Sequence, residues 1–281
     1  MLKYGTHTFV WIDEWTTEKG NQAIRSAAEV GFDFIEVSLA NPEAFDPSAF
    51  RTSLQVTGMD VTVSLVLPDW AHMPEHPHEA RQYLMTALDK TEALGSKYLC
   101  GCIAFALGRF TGSPATREER QVVIDTLGEV AEEASTRGIC LGLEVVNRYE
   151  SHLYNTLGEA RETLAAVGAN NLKLHVDTCH MIFEENGLYR PLVDCAEWLG
   201  YVHLSENHRG RLGTGTVNWD DVFRGLAHAR YTGPLVVKCF AAVNPALAGA
   251  IKLWRPPQEP PQVLASEGLK FIRSYADRYG L

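Results

Sequence analysis

The feature that most constrains the fold is a repeated alternation along the chain. Eight short apolar runs are each followed by an amphipathic stretch. TFV (8–10) precedes a helical pattern around Ala23 to Val30, and FIEVS (34–38) precedes one near Pro47 to Thr57. VTVSLV (61–66) leads to Pro77–Leu94, YLCGC (98–102) to Arg117–Arg137, and CLGLEV (140–145) to Leu157–Val167. LKLHVD (172–177) leads to Tyr189–Trp198, YVHLS (201–205) to Trp219–Ala229, and PLVVK (234–238) to Pro261–Tyr279. Glycines follow four of the helical stretches, at Gly31, Gly95, Gly138 and Gly168, where a left-handed cap ends a helix. Runs without strict polar alternation fit strands buried on both faces of a parallel sheet.

Eight strand–helix units predict a closed (β/α)8 TIM barrel, one domain spanning residues 1–281. The competing doubly wound sheet wants a glycine-rich phosphate loop after an early strand, and the sequence has none. The segment from Asn244 to Pro261 reads as a long loop at the catalytic mouth rather than a domain boundary.

Composition excludes several classes. At 46% hydrophobic and 21% charged, the 281 residues suit one globular domain. A net charge of −10 without any basic run argues against nucleic acid. No apolar run reaches the roughly 20 residues that span a bilayer, and the N-terminus lacks signal-peptide character, so no membrane association is expected. Six scattered cysteines form no CxxC pair, which predicts a reducing, cytoplasmic setting. His72, His76 and His78, irregularly spaced on a proline-broken loop, do not read as a zinc site.

Side chains at the C-terminal ends of barrel strands converge on one pocket. Here three consecutive strands end in Glu144, Asp177 and His203, and the last ends in Lys238. Two carboxylates and an imidazole suit Mn, Co, Mg or Zn dications. Asn147, Arg148, Glu150, His180, Glu206 and Arg209 follow those ends in the loops. Arg209 and His180 could hold hydroxyl or carbonyl oxygens, whereas Arg148 reads as a salt-bridge partner. Met181 and Phe183 read as packing residues. Trp11 and Trp15 either stack on a sugar face or cap the barrel. His7 either points into the pocket or is a satisfied core residue.

LEVVNRYESHLYNT, HVDTCHMIFEE, VHLSENHRGRLGTG and IKLWR, with the opening GTHTFVWIDEW, closely resemble the D-tagatose and D-allulose 3-epimerases. These ketose 3-epimerases are xylose-isomerase-like barrels. The resemblance covers essentially the whole chain. It implies a homodimer or homotetramer that acts on free ketoses such as D-tagatose, D-allulose, D-fructose or L-ribulose. It also implies one divalent metal, Mn2+ or Co2+, with Mg2+ as a further candidate. Glu144, Asp177 and His203 match three of its four ligands. Glu150, His180 and Arg209 match residues that orient the substrate, and Trp15 matches a pocket aromatic. Inverting C3 proceeds through an enediolate, which needs a stabilising cation and a base on each face. The resemblance puts glutamates in both base positions, on strands five and eight.

Glu144 is the first of these. At the second, where relatives read V-E-S-F or M-E-P-F, this chain has Lys238. An ammonium about 4 Å from a dication is repelled by roughly 8 kcal/mol at an effective dielectric of about 20. Four resolutions follow. The lysine swings out, it loses its proton, the metal is lost while Lys238 pairs with Glu144 or Asp177, or the lysine is a disabling substitution. The sequence therefore predicts a ketose 3-epimerase with impaired turnover. The alternatives are a non-catalytic sugar-binding relative and a lyase using Lys238 as a Schiff-base amine.

Overall fold

The computed structural model describes residues 2–241, 243–255 and 258–281. Its eight parallel strands are β1 (Tyr4–His7), β2 (Phe34–Ser38), β3 (Asp60–Val66), β4 (Tyr98–Cys102), β5 (Cys140–Glu144), β6 (Leu172–Asp177), β7 (Leu199–Leu204) and β8 (Leu235–Val237). They pair in order and close, with Gly5 opposite both Phe34 and Val236.

Helices α1 (Thr17–Val30), α2 (Ser48–Thr57), α3 (Pro77–Ala93), α4 (Arg117–Thr136) and α5 (Leu157–Val167) follow the first five strands. Then come α6 (Thr178–Glu184), α7 (Tyr189–Asp194), α8 (Trp219–His228), α9 (Pro245–Ile251) and α10 (Pro261–Tyr279). Local chemistry sets their ends. Thr116 and Thr156 form capping boxes with Glu119 and Glu159, and Gly31 and Gly168 end α1 and α5 in left-handed geometry.

Strand alternation sorts the barrel into two environments. Ile35, Val37, Val63, Leu141, Leu143, Val176, Val202 and Val237 face the helices and join the main core. Phe34, Cys100, Tyr201 and Val236 form a separate apolar floor inside the barrel. Two steps further along, the inward positions become Glu36, Glu144, Asp177 and His203, all buried. The interior has room because of two glycines. A Cβ on Gly5 would lie 2.1 Å from the Phe34 ring, and one on Gly142 would lie 2.6 Å from Cys100 Sγ.

Three expectations are corrected. The first strand is Tyr4–His7, and TFV is a 3-10 turn. His7 Nδ1 accepts from the backbone N–H of Phe9, which turns the chain despite β-prone residues. The eighth strand is shorter than PLVVK and stops at Val237, so Lys238 stands just beyond it. The segment after β8 carries α9, started by Asn244 accepting from Leu247 N–H.

Candidate active site

The C-terminal strand ends open into a cavity of about 400 Å3. One wall is polar, with His7, Glu144, Glu150, His180, His203, Arg209 and Lys238. Leu67, Leu107, Leu247 and Ile251 add apolar lining, together with Ser38, Ser64 and Asp69. Register makes Asp177 and His203 direct neighbours across β6 and β7.

Lys238 lines this cavity, its side chain only 12% exposed. Its Nζ lies 3.1 Å from Glu144 Oε1 and 3.2 Å from Asp177 Oδ2. Burial alone would lower the amine's pKa, but Glu144 and Asp177 outweigh it and raise the pKa above its ordinary value. The lysine is therefore an ammonium. Burial likewise opposes charge on the two acids, yet both stay well below the usual carboxylate range. Lys238 and a hydrogen bond with His203 hold Glu144 there, and Arg209 and Lys238 hold Asp177.

Asp177 is occupied on both oxygens. Oδ1 accepts from Cys179 N–H at 2.8 Å, while Oδ2 accepts from Arg209 Nη1 at 2.7 Å. Arg209 reaches this position with a backbone φ of 60, uncommon for a residue with a side chain. Its Nη2 lies 3.1 Å from His180 Nε2 and 4.0 Å from Glu150 Oε1. Asn147 fixes His180 from behind, its backbone N–H donating to Nδ1 at 3.2 Å. Asn147 Nδ2 also donates to Glu150 Oε1 at 3.1 Å. His180, Arg209 and Glu150 thus form one buried group beside Glu144 and Asp177.

His203 is held by a residue that the strand-end reading did not single out. Glu36, on β2, is fully buried and accepts from His203 Nε2 at 2.6 Å and Tyr201 Oη at 2.8 Å. Glu36 raises the pKa of His203 against the effect of burial. The available signal was the lone carboxylate in FIEVS, two residues beyond Phe34 on the inward face. His7 also approaches Glu36, with Nε2 3.4 Å from Oε1. Burial lowers the pKa of His7 to about 3, so it is neutral. His175 accepts from Gly101 N–H and is likewise lowered to about 3 by burial.

The donor set suits a divalent ion in type and spacing. With Nε2 committed to Glu36, His203 presents Nδ1, a buried atom without a hydrogen-bond partner. That nitrogen lies 3.5 Å from Glu144 Oε1 and 3.8 Å from Asp177 Oδ2, close to the separation of ligands around one metal. A second residue fixing a ligating imidazole is the usual support for such a site. Two further buried sets, Glu144–His175–His203 and Glu144–Asp177–His180, have donor atoms within 4.8 Å of one another. The obstacle is Lys238, whose ammonium already lies on two of the oxygens.

Other sequence candidates lie elsewhere. Trp15 is not among the residues lining the cavity. Its ring packs 5.6 Å from Phe45 and 5.1 Å from Phe50. Trp11 approaches Gln262. Arg148 pairs with Glu184 at 2.8 Å. Met181 is buried, whereas Phe183 is 43% exposed against Tyr149. His72 accepts from Ala106 N–H and is no part of the donor sets found among the described residues.

Comparison with known proteins agrees with this architecture. Residues 24–275 match the family described as Xylose isomerase-like TIM barrel. The L-ribulose 3-epimerase of Methylomonas sp. (strain DH-1) is 36% identical over 278 residues, 97% of each chain. The ketose 3-epimerase of Arthrobacter globiformis is 34% identical, over 97% of this chain and 96% of its own. A crystal structure of D-allulose 3-epimerase from Methylomonas sp. in complex with D-allulose superimposes with a TM-score of 0.93, covering 98% of this chain and 97% of that one at 36% identity. With its barrel closed and its polar strand ends gathered in one cavity, the chain belongs to the ketose 3-epimerases of the xylose isomerase-like TIM-barrel family.

Proposed function

We propose that the protein is a ketose 3-epimerase acting on free ketohexoses or ketopentoses, with turnover limited by Lys238. The observation that carries this reading is the convergence of Glu144, His203, His180 and Arg209 on one cavity of family architecture, with Asp177 buried directly behind them against His203 and Arg209. A cavity of about 400 Å3 is within the range of small-ligand pockets.

Glu144 is the base that takes the C3 proton, being ionised and open to the cavity. His180 and Arg209 bind the substrate's carbonyl and upper hydroxyl oxygens, with Glu150 orienting them. His7 closes the same wall. Trp15 packs on Phe45 and Phe50 outside the cavity lining and takes no part in binding. Glu144, Asp177 and His203 are the residues that would hold a divalent ion, Mn2+ or Co2+ by family resemblance and Mg2+ otherwise. When bound, such an ion would supply positive charge that stabilises the negative charge developing on the substrate as the C3 proton leaves.

Lys238 stands at the position of the second base. Bases on opposite faces of one carbon sit about 3 Å from it, hence about 6 Å apart. Lys238 and Glu144 are 3.1 Å apart, so the lysine must withdraw before C3 can enter between them. The same contact favours the second reading, a relative that binds ketoses without turning them over.

Away from the charged cluster, Leu67, Leu107 and Leu247 give the far end of the sugar a largely apolar lining. Weak discrimination there, and hence acceptance of ketopentoses such as L-ribulose beside D-tagatose and D-allulose, follows. A cytoplasmic homodimer or homotetramer completes the proposal, supported by six unpaired cysteines and by family resemblance.

The test is incubation with Mn2+ and a ketose panel in deuterium oxide. Deuterium at C3, accompanied by the C3 epimer, is the expected result. Calorimetric binding of a ketose without C3 exchange selects the second reading. Neither binding nor exchange with any ketose overturns both.

A further inference from the structure

We infer that Lys238 is a tethered cation that competes with a divalent ion for the same two carboxylate oxygens, so that divalent ions bind this protein weakly and its fold does not depend on them. The inference rests on the ketose-epimerase reading only for where the ion goes.

Three observations carry it. First, the ammonium contacts the donor atoms themselves, Glu144 Oε1 at 3.1 Å and Asp177 Oδ2 at 3.2 Å, rather than atoms behind them. Second, the position is built. Lys238 N–H donates to Leu204 O as the continuation of the β7–β8 ladder. The neighbouring Phe240 N–H donates to Arg209 O. The chain on both sides of the lysine is therefore tied to the site. Third, the carboxylates are already compensated. Arg209 Nη1 reaches Asp177 Oδ2 at 2.7 Å, so that oxygen carries two cationic partners before any ion arrives.

The consequence is steep competition. An ion about 2.1 Å from Glu144 Oε1 would lie within about 5.2 Å of an ammonium that kept its place. At an effective dielectric of about 20, that repulsion corresponds to between four and five decades of affinity. Moving the lysine aside relieves part of the repulsion but breaks both of its ion pairs. A net weakening of at least about a hundredfold is expected. By the same logic, the lysine neutralises a buried acidic cluster without help from an ion, so removing Lys238 transfers that task to the ion.

The experiment compares the wild type with Lys238→Met, which keeps side-chain length without charge, and Lys238→Arg, which keeps the charge. Mn2+ binding is followed by calorimetry and by the electron-spin-resonance signal of free Mn2+. Thermal melts are recorded in EDTA and in Mn2+. Lys238→Met should bind Mn2+ at least about a hundredfold more tightly than wild type, and Lys238→Arg should remain weak. The wild-type melting temperature should be the same in both media, whereas that of Lys238→Met should fall in EDTA and recover with Mn2+. If Lys238→Met does not fold, the wild type and Lys238→Arg decide the matter. A wild type that carries one equivalent of divalent metal through dialysis, or that binds Mn2+ as tightly as Lys238→Met, overturns the inference. Tight Mn2+ binding by Lys238→Met, with no action on any ketose by either the wild type or Lys238→Glu, overturns the functional reading and leaves the inference standing.

Discussion

Glu36 offers the most direct test of how the site is held. Replacing it with alanine removes the acceptor for His203 Nε2 at 2.6 Å and for Tyr201 Oη at 2.8 Å. Hydrogen bonds to an ionised group contribute about 1.5–3 kcal/mol each, so two give about 3–6 kcal/mol. Tyr201 keeps Thr62 Oγ1 at 2.6 Å, and losing a buried charge offsets part of the rest, leaving a net cost of about 3–4 kcal/mol. Unfolding entropy of about 2.1 cal/mol/K per residue gives about 0.6 kcal/mol/K for 281 residues, so the melting temperature should fall by about 5–7 °C. Glu36→Gln preserves an acceptor and the volume, and should lose only about 2–3 °C. With the imidazole no longer aimed, kcat for a ketose should fall about tenfold to a hundredfold in Glu36→Ala, with KM little changed. Glu36→Gln should fall less. Calorimetric melts and steady-state kinetics on the three proteins decide this. An alanine variant within 1 °C of wild type and equal to it in kcat would refute the idea that Glu36 orients His203.

Further outcomes follow from the same geometry. Glu144→Gln should lower kcat by about a thousandfold or more while retaining ketose binding by calorimetry, since it removes the proposed base; loss of binding alone would count against that role. Stability in EDTA should be greatest near pH 6.5 and decline toward acid. His7 and His175 are held neutral with pKa values of about 3, against about 6.5 unfolded, so between those values the unfolded chain binds two more protons. The slope is up to about 2.7 kcal/mol per pH unit, and the lowered carboxylates Glu36, Glu144 and Asp177 add their own loss below about pH 4. His203, with its pKa raised, acts in the opposite sense, and its contribution is lost as pH rises above about 6.5 through its folded value. Denaturant titrations giving equal stability at pH 6 and pH 4 would contradict this. Gly101→Ala should destabilise by about 3 kcal/mol or more, because Gly101 has φ 108 and a Cβ there would lie 2.1 Å from Leu65 O. A melt within 2 °C of wild type would show that the backbone relaxes freely.

Much of the architecture was legible in the chain because helix and strand periods are local properties. Pro261–Tyr279 reads from its starting prolines to the glycine at 280 as one amphipathic helix, and it is one. Strand ends could be read in the same way, so Glu144, Asp177 and His203 stood out as polar residues closing apolar runs. Thr8–Val10 misled because β-branched and aromatic residues favour a strand, while a tertiary position of His7 bends the chain into a turn. The resemblance matched Trp15 to a pocket aromatic, whereas the residues alone left stacking and capping equally open, since sequence carries no direction for a ring. The Trp15 ring faces Phe45 and Phe50.

By itself the sequence determined the number of strand–helix units, their order, and which residue types reach the C-terminal mouth. Only the tertiary structure decided which atoms meet there. Glu36 is separated from His203 by 167 residues, and their partnership exists only because closing the barrel turns both inward across its axis. Lys238 likewise reads from sequence as a cation in a metal ligand's place. Its distances of 3.1 and 3.2 Å to two buried carboxylates determine that it acts as their counter-ion, since charge in a desolvated interior is governed by what lies within a few ångströms in space.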